Sequence, residues 1–208
     1  MTWLESLAKH ENVAKVEKVG NLIIITTKDS RPDLILLENP RLKLSGDYLK
    51  TLLNTYQFNF LLCYKKNYFL DESAIGLLNI NNISYGDAKD VFRLLNSKEK
   101  NYHDFINKDS EYVLKNLGNN FNVLCHILQS NRKISVLRHD GRPLNFVFIN
   151  DYEITQARID EVYELYSPFD FILAANPNAR WKNLSHKGQE VKIGLWSDLF
   201  AFLVNSKS

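Results

Sequence analysis

The sequence predicts an α/β (α+β) protein made of two repeated α-β-β-β-α-β units, each with a mixed sheet flanked by helices. The first observation is an internal match, because Asp29-Ser30-Arg31-Pro32 returns 111 residues later as Asp140-Gly141-Arg142-Pro143. The second is that both halves show strand patterns and helix patterns in the same order. The third is a composition of 45% hydrophobic and 24% charged residues, which is typical of a folded chain. At the same offset, further identities pair Asn39 with Asn150, Phe58 with Phe169, Phe60 with Phe171, Leu62 with Leu173 and Asn67 with Asn178.

The repeat sets the expected domain boundaries. Residues 1–97 form the first repeat and residues 110–208 the second. Residues 98–109 are polar and charged, as is usual for a linker between domains.

The first half begins with a helix predicted over about residues 3–10, because Thr2 and Glu5 have capping-box spacing. A second helix should follow Ser45, and a last one should be capped by Ser84 with Asp87. Four strands are expected between these helices, at Val13–Val19, Leu22–Thr27, Asp33–Glu38 and Phe58–Tyr64.

The second half repeats this order. Helices are expected after Ser110, Thr155 and Ser197, each of which can cap a helix. Strands are expected at Phe121–Leu128, Lys133–Arg138, Leu144–Ile149 and Phe169–Ala174. The first of these apolar runs also fits a helix, because short runs do not distinguish the two.

Charge and cysteine usage narrow the class of protein. A net charge of +2 gives no strong electrostatic preference for nucleic acid or membrane. Cys63 and Cys125 lie in apolar runs and are expected to be buried free thiols, as in a reducing compartment. No signal peptide or apolar run of membrane-spanning length is visible, so we expect a cytoplasmic protein that does not enter a membrane. The histidines show no metal spacing, and no P-loop, Gly-x-Ser-x-Gly or Gly-x-Gly-x-x-Gly motif occurs.

A family resemblance rests on two pairs of segments. In the first half these are Pro32–Glu38 and Phe58–Leu62, and in the second they are Phe169–Leu173 and Asn176–Trp181. Their order resembles the restriction-endonuclease-like, or PD-(D/E)XK, nuclease superfamily, and their local texture resembles the N-terminal nuclease domain of type I restriction motor subunits. The resemblance implies a sheet that carries an acidic residue near its second strand and Glu/Asp-x-Lys on its third, where Mg²⁺ is bound.

The catalytic part of that pattern is incomplete here. Glu38 could be a metal ligand, with Asp29 or Asp33 as its partner, but Pro40 stands where the lysine should be. Lys28 or Lys43 would have to replace that lysine. The second half ends its third strand in Phe148-Ile149-Asn150, without a carboxylate. The catalytic residues Asp29, Asp33 and Glu38, and a magnesium cofactor, are therefore expected only if the protein is an active nuclease.

A basic and aromatic segment is the best candidate for a ligand surface. It lies at Asn178–Lys187 and contains Arg180, Trp181, Lys182, His186 and Lys187, so a ring could stack on a base beside several cations. Lys65 and Lys66 follow the corresponding strand of the first half. The alternative is a solvated loop pinned to the core by Trp181.

The repeated Asp-x-Arg-Pro turn has two interpretations. Arg31 and Arg142 could be paired anion contacts, because arginine binds oxygen pairs well. Alternatively the segment is a hairpin turn, in which aspartate binds the backbone and proline fixes φ.

These features give three hypotheses of function. The first is a non-catalytic binding or regulatory protein on a duplicated nuclease-like scaffold, with nucleic acid or another protein as its partner and no cofactor. The second is a divergent Mg²⁺-dependent nuclease. The third is a structural or assembly subunit. The sequence leaves the oligomeric state open.

Overall fold

The chain folds into two compact units, Met1–Lys108 and Asp109–Ser208. The computed structural model describes residues 2–29, 31–65, 67–97 and 101–205. The predicted linker at 98–109 lies mostly within the first unit, because its Tyr102 and Phe105 are buried in that unit's core. Its two aromatic side chains therefore act as core residues within an otherwise polar segment. None of the described helices combines the length and the apolar character that crossing a bilayer requires.

The first unit contains seven strands, four α-helices and a 3₁₀ turn within its described residues. In chain order these are α1 (Trp3–Ala8), β1 (Val13–Val19), β2 (Leu22–Thr27), β3 (Leu34–Asn39), β4 (Lys43–Leu44), α2 (Gly46–Thr55), β5 (Phe60–Cys63), β6 (Phe69–Leu70), α3 (Glu72–Ile80), β7 (Ser84–Gly86), α4 (Ala88–Asn96) and the 3₁₀ turn Tyr102–Asp104.

Local capping explains where the helices of this unit begin. Thr2 and Glu5 form the predicted capping box at the start of α1, and the Ser45 side chain accepts from the Tyr48 amide at the start of α2. The predicted cap Ser84 is wrong, because Ser84 is buried in β7 and Asp87 caps α4. A three-residue strand is too short to show a periodic pattern, so β7 could not be predicted from the sequence.

The sheet of the first unit has the strand order β1-β2-β3-β5-β7. The first three strands form an antiparallel meander, and β5 and β7 then add parallel to β3. Each face carries its own core. The face with α1 and α4 buries Leu36, Phe60 and Leu62, and the face with α2 and α3 buries Leu37 and Leu61.

The second unit begins at the next helix. Its elements are α5 (Lys108–Gly118), β8 (Val123–Leu128), β9 (Lys133–Arg138), β10 (Pro143–Ile149), α6 (Gln156–Tyr166), β11 (Phe171–Ala174), β12 (Ser185–His186), β13 (Gln189–Glu190), β14 (Ile193–Gly194) and α7 (Trp196–Asn205). Thr155 caps α6 as predicted, whereas Ser110 and Ser197 lie inside α5 and α7.

The sheet of the second unit has the order β8-β9-β10-β11-β14. Its first three strands are again an antiparallel meander, followed by β11 and β14 in parallel. The two units therefore share their strand order and strand directions, and the α/β class with mixed sheets is as expected. That the units descend from one duplicated ancestor stays a prediction.

Strand pairing shows which residues of the two units occupy equivalent positions. Phe60 and Phe171 are equivalent, since they pair with Leu36 and Phe146 of the neighbouring strands. Asn39 pairs with Cys63, and Ile149 pairs with Ala174, the residue equivalent to Cys63. Asn39 is therefore equivalent to Ile149 and not to Asn150. The second and fourth strands are thus offset by 111 residues and the third by 110, so the predicted ungapped match needs two compensating one-residue gaps, one before and one after the third strand.

Both meanders begin with the same irregularity. The register of β1 shifts between Val13 and Lys15, and that of β8 shifts between Val123 and Cys125. In each case the shifted residues pair with the last two residues of the next strand. A bulge at the same place in both first strands bends them alike.

A close contact between glycine and aspartate recurs after the fifth strand. A Cβ on Gly86 would lie 2.7 Å from Asp90 Cβ, and one on Gly194 would lie 2.5 Å from Asp198 Cβ. The Asp90 carboxylate accepts from the Asp87 amide, and that of Asp198 accepts from the Leu195 amide. Burial raises the pKa of Asp90 above its ordinary value.

Candidate ligand groove of the second unit

The two units differ most in the connection between the fourth and fifth strands of their sheets, which are β5 and β7 in the first unit and β11 and β14 in the second. In the first unit this connection contains α3, which fills the space beside α2. The two helices touch at Gly46, where a Cβ would collide with the Ser73 side chain. The glycine thus lets α3 lie directly on the first turn of α2.

The second unit has a hairpin in place of that helix. Residues 175–192, all of them described, contain no helix but the short strands β12 and β13. Lys187 and Gly188 join these strands with φ values of 48° and 77°, as in a type I′ turn. Gln156, the first residue of α6, occupies the position of Gly46 at the start of α2.

Gln156 fixes this hairpin to α6. Its side-chain oxygen accepts from the Ser185 amide at 3.1 Å, and its side-chain nitrogen donates to the Ser185 carbonyl at 2.6 Å. The same nitrogen lies 2.9 Å from the Asp160 carboxylate. One amide side chain therefore satisfies both main-chain groups of Ser185, much as a neighbouring strand would.

An open groove of about 540 Å³ lies between the start of α6 and the segment before the hairpin. It is lined by two short runs of residues, 152–156 and 180–184. A second groove, of about 560 Å³, lies on the other side of the second run and is lined by residues 181–185 together with Glu190, Val191 and Ile193.

Main-chain hydrogen bonds hold the two walls of the first groove together. The Arg180 amide donates to the Tyr152 carbonyl at 2.8 Å, and the Ile154 amide donates to the Arg180 carbonyl at 2.9 Å. Asn183 has a φ of 47°, a left-handed conformation that asparagine tolerates better than most residues. These main-chain contacts join the two runs at residue 180, and the Gln156 side chain holds the other end through Ser185.

Aromatic and basic side chains meet at this groove. The Arg180 guanidinium carbon lies 5.3 Å from the centre of the Tyr152 ring, within the range of a cation–π contact. Tyr152 remains 53% exposed, Trp181 is half-buried and Lys182 is exposed. A flat ring and an anionic group could both be contacted here without any rearrangement of the backbone.

His186 supports the hairpin and does not line the first groove. Its ring stacks on Tyr163 with 3.8 Å between ring centres and an interplanar angle of 1°. Tyr163 in turn contacts Phe169, and burial raises the pKa of the Tyr163 hydroxyl. Lys187, by contrast, is exposed at the tip of the hairpin.

The arginines of the repeated turn have different surroundings. The Arg31 side chain is 8% exposed and donates to the carbonyls of Leu94, Leu95 and Ser97 at the end of α4. Arg142 is exposed and lies 3.7 Å from the Asp140 carboxylate. Both Asp29 and Asp140 accept from the amide two residues later and lie beside the Nε of that arginine, at 2.8 Å and 3.7 Å. The turn chemistry is therefore shared, and the buried Arg31 side chain in addition reaches the end of α4.

In the basic loop of the first unit, the Tyr64 ring is 41% exposed but is engaged by its neighbours, since it lies edge-on to Trp3 and its hydroxyl donates to Glu38. Lys65 is exposed, but Tyr68 is buried in the core beside α3 and its ring contacts Tyr85. Lys66 lies outside the described residues. The parallel between the two loops therefore extends to charge, while the exposed ring of the first loop, Tyr64, is bonded to an acidic side chain.

The candidate catalytic carboxylates are not brought together. Asp33 directly precedes β3 and Glu38 lies five residues further along it, which puts their Cα atoms roughly 16 Å apart. Asp29 belongs to the hairpin before Asp33 and binds the Thr27 hydroxyl and Arg31. Within the described part of the chain, no group of three or more histidine, cysteine, aspartate or glutamate side chains could hold a metal ion.

Glu38 has partners that the sequence did not indicate. Its carboxylate lies 2.6 Å from the Lys18 ammonium and accepts from the Tyr64 hydroxyl. Burial and the neighbouring Glu38 raise the pKa of Tyr64. The lysine beside Glu38 is therefore Lys18, from β1, and neither Lys28 nor Lys43.

The sequence predicts the second wall of the groove but not the first. Arg180, Trp181 and Lys182 were expected, whereas Tyr152 and Gln156 were not. The signal that could have found them is topological, because residues after β10 and after β11, two parallel neighbours, meet at the same edge of the sheet.

Comparison of the chain with protein-family models, with curated proteins and with solved structures finds no match. The fold therefore defines the class, two α/β units with mixed five-stranded sheets.

Proposed function

We propose that the chain is a non-catalytic, cytoplasmic binding protein whose second unit holds single-stranded nucleic acid in the groove between residues 152–156 and 180–184. The observation that carries this proposal is the exposed Tyr152 ring, which lies beside Arg180 and Trp181 on an open surface. Proteins that bind single strands combine such rings with cations along a groove.

The groove suits a strand better than a duplex. A base can stack on Tyr152, while Arg180 and Lys182 are close enough to contact the adjoining phosphates. Duplex readers usually insert a helix or a ribbon into the major groove, whereas here the basic residues line a concave surface. The weak overall charge of +2 favours a local contact of this kind over broad attraction to a polyanion.

The presence of α3 in the first unit alone decides which unit has an open groove. In the first unit, Ala74, Ile75 and Leu78 of that helix fill the space beside α2. In the second unit, the hairpin held by Gln156 leaves the neighbouring surface open. We therefore assign binding to the second unit.

The test is fluorescence anisotropy with labelled single-stranded RNA and DNA of mixed sequence, titrated at several salt concentrations. The variant Arg180→Gln/Lys182→Gln should weaken binding and reduce the slope of log K against log salt by about 1.4, since each phosphate contact on a single strand contributes about 0.7. Lys65→Gln is the matched control, because Lys65 is an exposed cation in the corresponding loop of the first unit.

Tyr152→Ala should weaken binding about 5- to 150-fold, which corresponds to the loss of about 1–3 kcal/mol of stacking on one base. Absence of binding at low salt would exclude nucleic acid as the partner. An equal loss for Lys65→Gln would show diffuse attraction and contradict the assignment to this groove.

A further inference from the structure

The outer strand of the second sheet presents an apolar surface. β8 lies at the end of the order β8-β9-β10-β11-β14, so one side of its backbone has no neighbouring strand among the described residues. Leu124 is 57% exposed and Ile127 is 65% exposed, and Phe121, two residues before the strand, is 84% exposed. Cys125, predicted to be buried, is an exposed free thiol.

The first unit supplies an internal comparison for this strand. The ladders make Cys125 equivalent to Lys15, because they pair with Leu137 and Thr26. In the same way Ile127 is equivalent to Glu17. The same exposed positions therefore carry charges on β1 and apolar side chains on β8.

Charged side chains on an outer strand prevent pairing with another chain, because the new partner would have to desolvate them. β1 has this protection from Lys15, Glu17 and Lys18. β8 lacks it, since residues 119–131 contain no lysine, arginine, aspartate or glutamate. An unprotected apolar outer strand is a pairing surface.

We infer that β8 pairs antiparallel with β8 of a second copy of this chain, about a two-fold axis. A second copy is the partner that this composition favours, because it offers an equally apolar strand that also lacks lysine, arginine, aspartate and glutamate, so none of these charges is placed opposite another. The regular stretch Cys125–Leu128, beyond the bulge, supplies the main-chain hydrogen bonds. The two sheets then form one continuous sheet across the dimer.

The inference is independent of the proposed nucleic-acid groove, since β8 and β14 are the opposite outer strands of the sheet and the groove residues 152–156 and 180–184 belong to neither. Loss of nucleic-acid binding would therefore leave the inference standing.

The experiment is sedimentation of the full chain over a range of concentrations. The wild type should dimerise. The double variant Cys125→Lys/Ile127→Glu, which gives β8 the residues of β1, should be monomeric at concentrations where the wild type is dimeric. Ile80→Glu is the control, because Ile80 is 80% exposed on a helix of the other unit, and it should dimerise like the wild type.

A wild-type chain that stays monomeric would overturn the inference, and so would a folded double variant that still dimerises. Circular dichroism checks the fold of each variant. If the double variant does not fold, hydrogen exchange of the wild type decides. Amides of β8 should exchange more slowly as the protein concentration rises while those of β1 do not change, and equal behaviour of both strands would overturn the inference.

Discussion

Two arginines at different sequence positions cap equivalent helices in this protein. Arg31 donates to three carbonyls at the end of α4, and Arg138 donates to the Leu203 carbonyl near the end of α7 at 3.0 Å. The last carbonyls of a helix lack partners within it and carry partial negative charge. Arg31 is in the repeated turn, whereas Arg138 ends β9. Both units thus supply an arginine to the carbonyls at the end of the helix, but from different positions in the sequence.

This contrast predicts unequal effects for the two arginines of the repeated turn. Arg31→Met should lower the free energy of unfolding by about 1.5–3 kcal/mol, because it removes charged hydrogen bonds to carbonyls. Arg142→Met should change it by about 0.5 kcal/mol or less, as is usual for an exposed side chain. Urea unfolding of both variants measures the difference, and equal losses would contradict the capping role of Arg31.

Long elements could be predicted from the sequence, while short ones could not. The run of β-branched residues at Leu22–Thr27 gave β2 with both of its ends correct. By contrast, α3, β7 and the β12–β13 hairpin were missed. A strand of two or three residues has no period to detect, and Gly76 interrupts the helical pattern of α3, although Asp71 caps that helix.

The candidate site was half predictable for a related reason. The composition of residues 178–187 indicated a basic and aromatic surface without any knowledge of the fold. The opposite wall consists of residues 152–156. It comes close to residues 180–184 only because β10 and β11 pair in parallel. Contacts between distant segments leave no local pattern, so Tyr152 and Gln156 could be recognised only in the structure.

Because side chains alternate along a strand, the sequence predicts that Phe58, Phe60 and Leu62 share one buried face, and that Phe169, Phe171 and Leu173 do likewise; this prediction is correct in part. Phe60 and Leu62 lie in the core that α1 and α4 cover, and Phe171 and Leu173 lie in the core that α5 and α7 cover. Phe58 instead packs in the core on the opposite face. The reason is that β5 begins at Phe60, so the alternation of a strand does not extend back to Phe58.

Truncation should show this boundary on the second unit. Phe171→Ala should cost about 3–5 kcal/mol, as for a fully enclosed aromatic residue. Phe169→Ala should cost clearly less, because Phe169 precedes β11 and is only half-buried beside Tyr163. Chemical denaturation of the two variants tests the order, and a larger loss for Phe169→Ala would contradict it.

At the scale of the whole molecule, each unit has buried clusters of its own. The clusters that contain Phe60 and Leu61 consist only of first-unit residues, and the cluster that contains Phe171 consists only of second-unit residues. A protein with separate cores need not unfold in a single step.

We therefore expect Phe60→Ala, which should cost about 3–5 kcal/mol, to destabilise the first unit selectively. Hydrogen exchange should become faster for the amides of β2 and β5 and stay unchanged for those of β9 and β11. Phe171→Ala provides the reciprocal control. Loss of protection in both units after either substitution would show that the molecule opens as one cooperative body.

The close contact at Gly86 and Gly194 bears on how further examples of this unit could be recognised. Neither glycine can acquire a side chain while its aspartate remains, so inheritance should keep the two residues together even where the surrounding hydrophobic residues drift. In both halves a Gly-x-x-x-Asp segment runs from the last strand of the sheet into the next helix, although the connection before that strand differs between the halves. A search for distant relatives should therefore give this pair more weight than the repeated turn, whose arginine is 8% exposed in one half and 46% exposed in the other.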